Sequence, residues 1–208
     1  QKWTLFPYTT LFRSKTSEDL TEIITEVELK KISNLHTPQT ALAIFKIPVV
    51  ESPRVQGLQV ALDEVKDPGY LGSIIRLCDW FGIEDLICSQ GTVDCYNPKV
   101  VQATMGSISR VKIHYLDLAE FLSSAKEKTS VYGTFLEGKN VYTQSLSPEG
   151  VIVMGNEANG ITSEVEKIIS EKLLIPQFGK AKNTESLNVA TATSIFLSEF
   201  RRRDFTEK

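Results

Sequence analysis

The sequence predicts an α/β fold, a mainly parallel sheet flanked by helices. Strand-like and helix-like segments alternate over residues 58–203, which calls for a parallel sheet covered on both faces. Residues 151–154 (VIVM) are apolar at every position, as in a strand buried on both sides. Helix starts are marked by Asn97-Pro98, an N-cap followed by Pro at the first helical position. Asp117 marks another, ahead of Leu118, Phe121, Leu122 and Ala125.

The elements follow in order. Residues 1–14 (QKWTLFPYTTLFRS) have neither helical nor strand periodicity and read as a non-native tail, like an expression scar. A native, disordered N-terminus is the other reading. A turn cap at 19–22, a helix around 28–32, a break at Thr37-Pro38 and a strand at 41–47 follow, and Pro48, Pro53 and Gly57 make a linker. Residues 58–65 (LQVALDEV) alternate as a strand and stop at a turn, Asp67-Pro68-Gly69. A helix over 71–81 places Ile74, Ile75, Leu77, Cys78 and Phe81 on its apolar side and ends at Gly82. Further strands are expected at 85–89, 110–115, 130–136, 151–154 and 172–175. Further helices run from Pro98 to Gly106, from Asp117, and from Ser163, whose capping box would be closed by Glu166. The last helix begins at Ser186-Leu187-Asn188 and runs to the Arg cluster.

Composition narrows the function classes. A chain of 208 residues suits one large domain, or one domain and a small one, and 41% hydrophobic content is enough for a core. No apolar run approaches the roughly 20 residues that span a bilayer, and no signal peptide is visible, so a cytoplasmic protein is expected, with no membrane partner. The net charge of −3 argues against wrapping nucleic acid by bulk charge. A local basic patch from Lys180, Lys182, Arg201, Arg202 and Arg203 is compatible with it. Cys78, Cys88 and Cys95 match no zinc spacing, and His36 and His114 lie far from them in sequence. Buried, reduced thiols and no metal are expected.

In parallel α/β sheets ligands sit beyond the carboxyl ends of the strands. Three polar, Gly-containing loops fall there: 67–72, 155–161 and 176–187. The first carries Gly69 and Gly72 and leads to Arg76, a cation among apolar neighbours that either snorkels, pairs with an acid or holds an anion. The second, MGNEANGI, brackets Glu157 between Gly155 and Gly160; it has neither the dinucleotide-fold nor the P-loop glycine pattern. The third feeds a helix whose first N–H groups can grip a polar ligand. Taken singly, each fits an ordinary connection as well as a site.

Together, in this order and spacing, the three loops resemble the three motifs of the SpoU (TrmH-like) branch of the SPOUT RNA methyltransferases. The likeness runs from Gly57 to Arg202, including NPKVVQATMGSISRVKI, and residues 36–48 (HTPQTALAIFKIP) resemble the segment joining this family's N-terminal RNA-recognition domain to its catalytic domain. The resemblance implies a C-terminal deep trefoil knot, S-adenosyl-L-methionine as cofactor, a homodimer with sites at its interface, and methylation of a ribose 2′-hydroxyl in ribosomal or transfer RNA. By the same resemblance, Arg76, Glu157, Ser186 and Asn188 match catalytic positions, and Thr134, Leu136, Gly155, Ile175 and Leu187 match cofactor-contacting ones. The domain expectation is a tail at 1–14, the last part of a truncated RNA-recognition domain with its linker at 15–54, and a catalytic domain at 55–208. The sequence departs from the family pattern at Tyr70, where Asn is usual, and in a longer 180–185 segment. Tyr70 and the short N-terminal segment keep a second expectation open, a weakly active or inactive RNA-binding or assembly protein with the same fold.

Overall fold

Residues 3–6, 21–33, 35, 37, 40–179 and 186–202 are described by a computed structural model of the chain. The chain divides into two units, Gln1–Val49 and Val50–Lys208. In the first, β1 (Trp3–Phe6) pairs antiparallel with β2 (Ala43–Lys46). A strand at 3–6 departs from the sequence expectation, which found no strand periodicity there. A short two-stranded ladder is held by backbone groups and requires no alternation of side chains. Helix α1 (Glu26–Ile32) is started by a capping box: Glu28 N–H donates to the Thr25 hydroxyl, and the Glu28 carboxylate accepts from Thr25 N–H at 2.8 Å. The backbone hydrogen bond from Thr25 draws the Glu28 carboxyl below its ordinary value. The predicted turn cap at 19–22 and Pro38 fall wholly or partly outside the described residues.

In the second unit six strands form one parallel sheet: β3 (Leu58–Leu62), β4 (Asp85–Ser89), β5 (Lys112–Leu116), β6 (Val131–Asn140), β7 (Gly150–Met154) and β8 (Glu171–Leu174). Their order is β5-β4-β3-β7-β6-β8. The helices are α2 (Pro68–Trp80), α3 (Pro98–Ala103), α4 (Leu118–Lys126), α5 (Ser163–Glu166) and α6 (Val189–Arg201). Strand pleating sorts the core into two layers. Val60, Leu62, Leu86, Ile152 and Met154 pack with Leu71, Ile74 and Cys78 of α2 and Phe196, Leu197 and Phe200 of α6. Ala61, Ile87, Val151 and Val153 pack with Leu122 and Ala125 of α4 and Val165 of α5. Helices therefore cover both faces, and every residue of β3, β4 and β7 is buried. The alternation expected for 58–65 is not seen for this reason: both faces of a central strand are core.

Several boundaries differ from the sequence reading. Asp67-Pro68-Gly69 is the start of α2, not a turn before it: Asp67 is the N-cap, accepting from Tyr70 N–H at 2.9 Å, with Pro68 in the first turn. Gly72 consequently lies inside the helix, where a Cβ would come within 2.4 Å of Ala103 Cβ and 2.8 Å of the Val100 carbonyl. Its role is close α2–α3 packing. Helix α3 ends at Ala103, short of Gly106, because Met105 (φ 51°) and Gly106 (φ 91°) turn left-handed. The Ser163–Glu166 capping box does not form. Thr162 occupies the N-cap, which moves Val165 to the third helical position, and Glu166 pairs with Lys172. Strand β6 runs to Asn140, beyond the expected 136, through an irregularity where Thr134 and Lys139 both face Leu173. No helix among the described residues is long and apolar enough to cross a membrane.

Two predictions follow from this packing. Gly72→Ala should destabilise the protein by roughly 1–3 kcal/mol through overpacking against α3, measured by denaturant unfolding. Asp79 on α2 accepts from Ser107 Oγ at 2.8 Å and Arg110 Nη2 at 2.7 Å, and the Arg110 hydrogen bond holds its carboxyl below the ordinary 3.8. The ionised form therefore favours the folded state. That contribution is present above the unfolded-state value and is lost as pH falls through the lower folded-state one. Asp79→Asn should flatten the acid limb of stability below about pH 4, read from unfolding midpoints across pH.

Candidate cofactor and catalytic site

The site is built at the carboxyl ends of four adjacent strands, β3, β7, β6 and β8. From β3 the chain turns through Asp63–Asp67 into α2, which projects Arg76. Arg76 is exposed and has no hydrogen bond or ion pair among the described residues. A guanidinium left unpaired can hold a phosphate or a developing oxyanion. It lines a cavity of about 1160 Å³ between α2 and α6, together with Tyr70, Ser73 and Trp80 on α2 and Asn188 and Thr191 at the start of α6. Asn188 is the N-cap of α6, its Oδ1 accepting from Ala190 N–H at 2.8 Å and Thr191 N–H at 3.1 Å. Of the residues expected to be catalytic, Arg76 and Asn188 thus share one cavity; Glu157 and Ser186 do not line it. Both are exposed.

The expected cofactor positions converge by register. Thr134 on β6 follows Gly133–Val153, the last β6–β7 pair, and faces Leu173 on β8, so it stands level with the ends of β7 and β8, which Gly155 and Ile175 directly follow. The Thr134 hydroxyl donates to the Val153 carbonyl at 3.0 Å, which binds the strand ends to each other. Gly155 opens a closed turn in which Asn156 and Gly160 exchange two 2.9 Å backbone hydrogen bonds. A Cβ at Gly155 would lie 2.3 Å from the Gly160 carbonyl carbon, so this turn admits glycine alone. Leu136 (74% exposed), Leu187 (47%) and Phe178 (84%) leave apolar surface uncovered near these ends. Ile175 is half-buried against the core. Apolar side chains beside strand-end backbone suit a ligand with a flat heterocycle and a polar chain, as S-adenosylmethionine has.

Thiolate and imidazole chemistry are absent from these loops. The three cysteines are buried and free, as the sequence suggested. Burial pushes the Cys95 thiol up to about 12 and raises Cys78 and Cys88 as well, so all three stay protonated near neutrality. His114 Nε2 lies 2.7 Å from Asp85 Oδ1 in a buried pair at the amino end of β4, away from the carboxyl-end loops. No group of His, Cys, Asp and Glu suited to a metal occurs among the described residues.

Of the expected basic patch, Lys180, Lys182 and Arg203 lie outside the described residues. Arg202 Nε donates to Glu199 at 3.0 Å, and Arg201 Nε donates to the Phe81 carbonyl at 3.1 Å, tying α6 to the end of α2. Tyr142 was not anticipated: it sits in a single 3-10 turn, Val141–Thr143, lines the Arg76 cavity and contacts the Phe178 ring at 6.4 Å. One turn has no periodicity to read; Asn140, which caps it, was the available signal.

Residues 57–198 match the SpoU rRNA Methylase family, and the chain belongs to it. A 23S rRNA (guanosine(2553)-2′-O)-methyltransferase of Bacillus subtilis is 30% identical over 187 residues, covering 89% of this chain and 71% of its own. The chain spans 54% and 58% of two further curated relatives. A solved structure from Porphyromonas gingivalis, assigned to the TrmH family of RNA methyltransferases, superposes with TM-score 0.86 at 39% identity, covering 96% of this chain and 82% of that one. An AdoMet-bound rRNA methyltransferase from Sinorhizobium meliloti gives TM-score 0.77 at 33% identity, covering 88% and 71%.

Because Asn188 caps α6, its loss should register as stability before it registers as chemistry. Asn188→Ala is expected to cost about 1 kcal/mol in thermal or denaturant unfolding, whereas Asn188→Asp, which keeps the acceptor, should restore most of it.

Proposed function

We propose that the chain transfers the methyl group of S-adenosyl-L-methionine to a ribose 2′-hydroxyl of RNA. Ribosomal RNA is the favoured substrate class, since the Bacillus subtilis relative is a 23S rRNA enzyme; transfer RNA is the other. The observation that carries this reading is Arg76, exposed and unpaired among the described residues, in the cavity between α2 and α6 of a SpoU-family chain. The cofactor supplies an electrophilic methyl on a sulfonium. What remains for the protein is alignment of the hydroxyl and help with its proton. An arginine side chain stays protonated near neutrality and cannot accept that proton. Arg76 instead stabilises the charge developing on the 2′-oxygen, or holds the adjacent phosphate. Glu157, carried by the Asn156–Gly160 turn, and Ser186 supply the polar groups on the other side of the loops. Thr134, Leu136, Gly155, Ile175 and Leu187 hold the cofactor.

The proposal extends to a cytoplasmic homodimer. The α2–α6 cavity that holds Arg76 is not lined by Glu157 or Leu136, and Trp80 on its rim is 83% exposed. A second copy laid on this groove would cover the tryptophan and bring an Arg76 toward a facing cofactor loop. The C-terminal knot that the family resemblance implies would fall in the stretch Ile175–Leu197.

Arg76→Ala is expected to lower transfer of a labelled methyl to RNA by about 10²–10³-fold while binding of the cofactor persists. Ribose-containing RNA should accept the label and the matching deoxyribose oligomer should not. Undiminished transfer by the variant would overturn the assigned role of Arg76.

A further inference from the structure

We infer that Asp63 and Asn156 are positioning residues that fasten the Glu157 loop to the β3–α2 turn, so that the loop and the helix bearing Arg76 share one anchor. This rests on the reading of the Glu157 loop as part of the methyl-transfer site. Asp63 follows β3 and is 2% exposed. Its N–H donates to the Met154 carbonyl at 2.9 Å, extending the β3–β7 ladder by one bond. Its Oδ2 accepts the Thr162 N–H at 2.7 Å, closing the far side of the loop. Asn156 holds the near side. Its Nδ2 donates to the Glu64 carbonyl at 2.7 Å, and its Oδ1 accepts from Ala158 N–H at 2.9 Å and Asn159 N–H at 3.1 Å. The side chain therefore shapes the turn and binds it to the next strand end at once. Glu157, between these bonds, is left facing solvent.

The anchor itself is a strained residue. Glu64 has φ of 58°, a conformation that a residue with a long side chain seldom adopts. It is held on both sides: its N–H donates to Ser89 Oγ at 2.9 Å, and its carbonyl takes the Asn156 bond. Three residues on, Asp67 caps α2. The turn at 63–67 thus touches β4 through Ser89, β7 through Asp63, and the Glu157 loop through Asn156. Packing alone needs none of these polar bonds. Their common effect is to hold the Glu157 loop in one place on the end of the β3–β7 ladder.

Asn156→Asp keeps the acceptor for Ala158 and Asn159 but sets an oxygen against the Glu64 carbonyl; Asp63→Ala removes the acceptor of Thr162. Amide exchange in the cofactor-free protein, with unfolding midpoints to confirm a folded state, should show the 156–162 amides exchanging roughly tenfold faster or more in each variant. In kinetics, Asn156→Asp should lower kcat by roughly tenfold or more in the native background and add little on top of Glu157→Gln. Unchanged exchange, or full additivity with Glu157→Gln, overturns the inference. If Glu157→Gln is itself fully active, the reading of the site fails instead, and the exchange result alone decides whether the two residues hold the loop.

Discussion

The β3–β7 ladder is the constraint on which the catalytic unit depends. Leu58–Leu62 pairs in register with Gly150–Met154, and all ten residues are buried. Their outward faces alternate between the two core layers, so a one-residue slip would exchange the α2–α6 layer with the α4–α5 layer. The same register sets where both strands stop. Leu62 and Met154 are partners, so the turn that leads to Arg76 and the turn that carries Glu157 leave the sheet side by side.

On the proposed reading, chemistry at this site relies on the placement of Arg76 and the turns at the strand ends. The thiols are buried and protonated, and the buried histidine is committed to Asp85. In the proposed reaction a reactive donor removes the need for a strong nucleophile, which leaves alignment to an unpaired cation and to the turns at the strand ends. Rigidity is visible in the closed Asn156–Gly160 turn, the Asn188 cap and the Asp67 cap, each of which satisfies backbone groups with a side chain or a facing strand.

Much of this was legible beforehand. Residues 85–89 and 151–154 read as strands, and 151–154 as one buried on both faces, because a fully apolar run has that meaning in a parallel sheet. The starts at Asn97-Pro98 and Asp117 read correctly because capping is local chemistry. Errors came where a signal had two meanings. Asp67-Pro68-Gly69 suits a turn and a capped helix equally, and in the structure it is the capped helix, with Gly72 packed closely on α3. Ser163 and Glu166 have capping-box spacing, but Thr162 stands one residue earlier and takes the cap. The Arg76 cavity needed Tyr142, whose only sequence signal is the Asn140 cap.

By itself, the sequence determined the α/β alternation, the buried cysteines, the three loops at the strand ends and the family to which they point, because each rests on local propensity or on residue identity at set spacing. Tertiary structure alone decided the strand order, the sharing of a cavity by Arg76 and Asn188, and the fastening of Asn156 to Glu64. Those pairs are separated by 112 and 92 residues, and nothing but the β3–β7 register and the packing of α2 on α6 brings them together.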